Sequence, residues 1–188
     1  MAIQSCPPDE AAIDSLARQI DRLLPRLQRY ALRLTRNAAA ADDLVQETLV
    51  RGIANIHRWQ QGTDLRAWLF TILHNQFVSG IRRATREVVK VDQACAGAAL
   101  VSPGRQIAVL ELRDLERALA RLPVEQRVVV LLVGYEGMEY ETIASLLALP
   151  LGTVRSRLSR GRTRLRELTC SADSRRKRAG RAPSREAA

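Results

Sequence analysis

From Ala11 to about Arg83, apolar residues recur at three- and four-residue steps, the period of amphipathic helices packed against a common core. Ile13, Leu16, Ile20, Leu23, Leu27 and Leu34 mark the first stretch, in which Pro25 is expected to start a new helix or kink one. Asp42 and Asp43 are expected at the start of a second helix, where carboxylates meet the positive end of the helix dipole; its buried side should include Leu44, Val45, Leu49, Ile53 and Ile56. The segment HRWQQGT, residues 57–63, breaks the pattern. Thr63 or Asp64 then caps a third helix with a broad apolar face of Leu65, Trp68, Leu69, Ile72, Leu73 and Phe77.

Between Thr85 and Arg105 the periodicity is lost in a small-residue, glycine-containing stretch interrupted by Pro103, which reads as an interdomain linker. Helical pattern resumes from Leu110 to Leu122 and continues in a helix opened by Pro123 and closed near Gly134 and Gly137. From Glu139 to Leu168 the chain reads as two short helices about a tight turn. Ala144 allows close approach, Leu149 and Pro150 end the first helix, and Val154 falls ten residues after Ala144 to plug the angle, which is helix-turn-helix spacing. Ala148 stands where such turns often use glycine. In the second helix Val154, Leu158, Gly161, Leu165 and Leu168 form one narrow apolar stripe, and Arg155, Arg157, Arg160, Arg162, Arg164 and Arg166 surround it with no acid before Glu167. The expected organisation is all-α: a terminal tail at 1–10, a helical domain at 11–84, a flexible linker at 85–108, a helix-turn-helix domain at 109–170 and a disordered basic tail at 171–188.

Composition narrows the partner. Aromatic residues make up only 4% of the 188, as suits small helical domains better than a sheet-rich fold. Thirty Lys and Arg against twenty Asp and Glu leave a net charge of +10, nearly all on arginine, the residue suited to bidentate phosphate and guanine contacts. Nucleic acid is therefore the first partner to consider. With no run of eighteen apolar residues and no signal peptide, a cytoplasmic protein without membrane insertion is expected. Cys6, Cys95 and Cys170 lack disulfide-framework or zinc spacing, and His57 and His74 lack metal-ligand spacing. No phosphate loop, nucleophile elbow or paired-carboxylate motif occurs, so no cofactor, metal, catalytic residue or enzymatic activity is expected.

Three segments together carry a family likeness: DDLVQETLVRG at 42–52, DLRAWLFTILHNQFVSGIRR at 64–83, and the stretch from LPVEQRVVVLL to RTRLREL at 122–168. With them the chain resembles a sigma-70 family RNA polymerase sigma factor of the extracytoplasmic function group, over roughly residues 20 to 168. The resemblance implies a sigma2 domain followed by a sigma4 domain, binding to core RNA polymerase through its beta-prime clamp and beta subunit, recognition of promoter DNA, and melting of the minus-ten element. It also implies control by an anti-sigma factor, which the linker would permit by repacking of the two domains.

Residue by residue, the second helix leaves Asp43, Gln46, Glu47 and Arg51 facing away from its stripe, and the resemblance makes them the core-polymerase contacts; otherwise they are a solvated helix face. A protein that opens DNA without ATP needs a stacking or pocket surface for the extruded base and cations for the freed strand. His57, Arg58, Trp59 and Gln60 have that chemistry, and by resemblance they capture a minus-ten base while Asn75, Ser79, Arg82 and Arg83 face the same DNA. Trp59 is open to platform and core alike; Trp68 belongs to the core. On the recognition helix Arg155, Ser156, Ser159 and Arg160 form the expected minus-35 base-reading set, and Thr153, Arg157, Arg162 and Arg164 the phosphate contacts. Two rivals differ in class: a sigma-like decoy that only binds an anti-sigma protein, for which a fused receiver domain is expected and 188 residues leave no room, and a free-standing helix-turn-helix repressor, which leaves the 42–52 surface and the Trp59 loop unexplained.

Overall fold

A computed structural model describes residues 10–60, 62–88 and 106–179, and among these the chain is helical with no strand. Seven α-helices follow in order: α1 Glu10–Thr35, α2 Ala38–Ala54, α3 Leu65–Val88, α4 Gln106–Ala120, α5 Val124–Gly134, α6 Tyr140–Leu147 and α7 Leu151–Ala179, with a 3-10 turn at Ile56–Arg58. The first three helices pack on one another, as do α4, α5, α6 and α7. Cys6 and Cys95 lie outside the described residues, as does all of the expected linker except its ends: α3 runs on to Val88 and α4 begins at Gln106.

Several local expectations are revised. Pro25 neither starts nor ends a helix; α1 passes through it, and Pro25 lies on the exposed side, where its missing N–H is least costly. Helix α2 starts earlier than its aspartates. Asn37 is the cap, its side chain accepting from the Ala40 amide at 3.0 Å, so Asp42 and Asp43 sit beyond the first turn. The buried seam of α2 is Ala41, Val45, Thr48 and Gly52, rotated from the expected one, and Ile53 is 62% exposed. Thr48 enters that seam because its hydroxyl donates to the Leu44 carbonyl at 2.7 Å, which satisfies it without a partner across the core. Gly52 permits a close crossing: a Cβ there would stand 3.1 Å from Leu69 Cδ2. At the head of α3 the cap is Asp64, whose Oδ1 accepts from the amides of Arg66 and Ala67 at 2.9 and 3.2 Å. Leu65, Leu69, Leu73 and Phe77 are buried as expected, joined by Phe70, which meets Tyr30 with ring centroids 5.0 Å apart.

In the second unit Pro123 precedes α5, and the α5–α6 turn closes at Gly137, whose φ of +63° suits a residue without Cβ. The α6–α7 turn passes through Ala148 at φ 51°, a left-handed position held by a residue that pays for it in sterics. Val154 and Leu158 are buried, and Gly161 lets α7 lie on α5 so tightly that a Cβ would meet Val130 Cγ2 at 2.7 Å. Far from being short, α7 is 29 residues long, and the expected disordered tail is helical as far as Ala179. From Arg175 to Ala179 the residues are Arg, Lys and Ala, which have high intrinsic helix propensity and can extend an established helix. The buried side chains of the two units form one continuous cluster, from Leu27 and Tyr30 through Phe70 to Leu122, Val129 and Ile143.

Candidate nucleic-acid interface

The position of α7 determines which of its arginines are available. Its stripe of Val154, Leu158 and Gly161 is buried against the helices beneath, so the opposite faces carry Arg155, Ser159, Arg160, Arg162 and Arg164 into solvent. Thr153 and Ser156 are half-buried, and the Ser156 hydroxyl donates to the Thr153 carbonyl at 3.0 Å. Arg157 turns inward: Nη2 lies 2.8 Å from Oε2 of Glu125, tying α7 to the first turn of α5, and its side chain is 25% exposed. Arg164 pairs with Glu167 at 3.4 Å along the helix. With α7 starting at Leu151, Arg155 and Ser156 lie in its second turn and Ser159 and Arg160 in its third.

The polar face of α2 carries Asp43, Gln46, Glu47 and Arg51, all exposed, together with Val50 at 66% and Ile53 at 62% exposure. Those two apolar residues are not among the sequence candidates, and Ile53 is expected on the buried side. The Arg51 guanidinium donates to Glu47 Oε1 at 2.7 and 3.1 Å, and in the amide orientation that satisfies both partners Gln76 Oε1 accepts from Arg51 Nη1 at 3.0 Å. This chain of contacts links α2 to α3. On α3 itself Asn75, Ser79, Arg82 and Arg83 are all exposed. His57 and Arg58 of the 3-10 turn are exposed, as is Gln60, whereas Trp59 is half-buried against the core with its Nε1 buried. Trp68 packs against the core. His74, one turn before Val78, is mostly buried, and burial lowers its pKa to about 4.

Between the units lies a second set of arginines. Arg26 Nε is 3.0 Å from Oε2 of Glu136, whose side chain is fully buried. The Glu136 backbone carbonyl accepts from Arg66 Nη1 at 3.1 Å and Arg26 Nη2 at 3.4 Å. Burial raises the pKa of the Glu136 carboxyl, while Arg26, Arg66 and Arg29 pull it back down. Arg33 and Arg29 lie over the Tyr135 ring at 4.2 and 5.9 Å. Two helix ends are closed reciprocally: Arg36 Nη1 donates to the Ala120 carbonyl at 3.3 Å at the end of α4, and Arg127 Nη1 to the Leu34 carbonyl at 3.4 Å at the end of α1. Burial, then the charge of Arg36, lowers the pKa of Arg127. None of these contacts is signalled by the helical pattern, since they join residues 70 to 110 positions apart.

Cys170 is exposed and outside any disulfide. Among the described residues no group of His, Cys, Asp and Glu is placed to hold a metal ion, and no helix is long and apolar enough to cross a membrane.

Comparisons with known proteins agree with this layout. Residues 19–87 match the family model for sigma-70 region 2, and residues 112–165 that for sigma-70 region 4. The chain is 44% identical over 155 residues to the ECF RNA polymerase sigma factor EcfG of Rhodopseudomonas palustris, covering 82% of this chain and 85% of that one. It is 36% identical over 170 residues to the ECF RNA polymerase sigma factor SigE of Mycolicibacterium smegmatis, covering 88% of this chain and 66% of that longer protein. Among solved structures, the sigma factor RpoE of Bartonella quintana, in complex with the anti-sigma factor NepR, superposes with a TM-score of 0.74 at 37% identity, over 82% of this chain and 96% of that one.

Proposed function

The chain belongs to the extracytoplasmic function group of the sigma-70 family, and on that footing we propose how its surfaces divide the work of transcription initiation. It is a promoter-directing factor for RNA polymerase. Asp43, Gln46, Glu47 and Arg51, flanked by the exposed Val50 and Ile53, bind the core enzyme at the beta-prime clamp: two apolar side chains inside a polar rim give a dockable patch. His57, Arg58 and Gln60, with Asn75, Ser79, Arg82 and Arg83, hold the opened minus-ten strand, and Trp59 supports that loop from beneath. Arg155 and Ser156, in the second turn of α7, read minus-35 bases in the major groove; Thr153, Arg162 and Arg164 hold phosphates, and Arg157 braces α7 through Glu125.

The observation that carries this reading is that α7 offers its arginines to solvent on a helix clamped by Val154, Leu158 and Gly161, while the α2 face is open in the same molecule. A lone repressor has no use for the second surface. The protein catalyses no reaction itself, acts in the cytoplasm, and is held in check by an anti-sigma factor, as supported by the NepR complex of the RpoE relative. Run-off transcription with core polymerase stripped of its own sigma tests the proposal. Adding this chain should produce transcripts from defined starts on the promoters it induces when overexpressed, and absence of any defined start would overturn it.

A further inference from the structure

Beside α7 runs a groove of about 500 Å³ that the helix-turn-helix does not account for. One wall is the α4–α5 turn, with Arg121 and then Gln126 of α5; the other is the third to fifth turns of α7, with Ser159, Arg160, Thr163 and Arg164. Among the described residues Arg121 and Arg160 make no ion pair, and Glu167 at the far end, set against Arg164, is the single acid on the lining. Side chains along it are exposed or half-exposed, so the groove is an open channel along the helix axis rather than an enclosed site for a small ion. Arg160 and Arg164 stand one turn, about 6 Å, apart along that axis. Hydroxyls and an amide between the guanidinium groups supply uncharged donors, the mixture that contacts a phosphodiester strand. A recognition helix lying in a major groove has a sugar-phosphate strand beside it, and one wall of this channel is α7 itself, from Ser159 to Glu167.

We propose that this groove seats the phosphate backbone of one strand of the minus-35 duplex, and that Arg121, outside the helix-turn-helix, is a phosphate contact in it. The assignment rests on the reading of α7 as the minus-35 element. It also moves Ser159 and Arg160 from base reading to the backbone, because they lie in the third turn of α7 on the groove wall, past the turns that enter first.

The test is equilibrium binding of the reconstituted holoenzyme to fluorescent promoter duplexes, over a salt series and a set of minus-35 base substitutions, for the wild type, Arg121→Gln and Arg155→Ala. Arg121→Gln should weaken binding several-fold and equally across the substitutions, with the slope of log affinity against log salt smaller by about 1. Arg160→Ala should behave the same way. If Arg121→Gln changes nothing while Arg155→Ala still weakens binding, the seat is wrong and the reading of α7 stands. If Arg121→Gln reorders the preference among minus-35 sequences, it reads bases and the proposal falls. If neither variant alters binding, the reading of α7 falls and takes the seat with it.

Discussion

On α7, Arg155, Arg160 and Arg162 stand in solvent; on α1 Arg26, Arg29 and Arg33, and just past its end Arg36, close on the other unit, against a buried carboxylate, an aromatic ring and the carbonyl at the end of α4. Both helices are amphipathic and rich in arginine. What separates them is the surface each meets. The end of α5 presents Tyr135 and both the carboxylate and the backbone carbonyl of Glu136, all of which attract a guanidinium, whereas Arg155, Arg160 and Arg162 on α7 are exposed. Net charge therefore overstates what is left for DNA, since part of it is spent on joining the two units.

The sharpest way to break this comparison is to exchange the two readouts. Arg26→Ala leaves the Glu136 carboxylate buried without its nearest partner and should cost about 2 kcal/mol in urea unfolding, less than for a fully enclosed pair because Arg26 is 37% exposed. Arg155→Ala should stay within about 0.5 kcal/mol of wild type in the same assay, because Arg155 is exposed. Equal losses would erase the distinction. In holoenzyme binding the order reverses: Arg155→Ala should lose about 1 to 3 kcal/mol at one minus-35 position and relax the base preference there.

Acid separates the inner region from the outer one again. His74 has its folded pKa lowered to about 4 from an ordinary 6.5, so the unfolded chain binds the extra proton first. Its contribution is intact above pH 6.5 and is lost as the pH falls towards 4, by at most about 1.4 kcal/mol per pH unit. His74→Gln should flatten stability over that window; a slope identical to wild type would show that another group is responsible. Smallest of all, Ala148→Gly should raise the unfolding free energy by about 1 kcal/mol, by relieving the left-handed φ of 51°, without changing promoter preference.

Much of the first unit was legible because its helices are long and their apolar period is regular. Leu65, Leu69, Leu73 and Phe77 follow from spacing alone, whereas the pattern leaves the cap open between Thr63 and Asp64, and the amide contacts of Asp64 decide it. Errors fell where the period is shared by two faces. In α2, small and polar Ala41, Thr48 and Gly52 form the seam because close approach to α3 matters more there than hydrophobicity, and Ile53 is left outside. Trp59 was ambiguous for a similar reason, since one indole serves equally as a wall or a floor until the loop is built.

By itself, the sequence determined the helices, the two units, the helix-turn-helix spacing and the family, because these depend on residues near one another along the chain or on motifs read in order. Only the tertiary structure decided which arginines are free. Arg157 is taken by Glu125 and Arg26 by Glu136, and Arg121 comes beside Arg160 although 39 positions separate them in the chain. A guanidinium has the same charge wherever it stands, and what it binds is set by the groups that packing brings within about 3 Å of it.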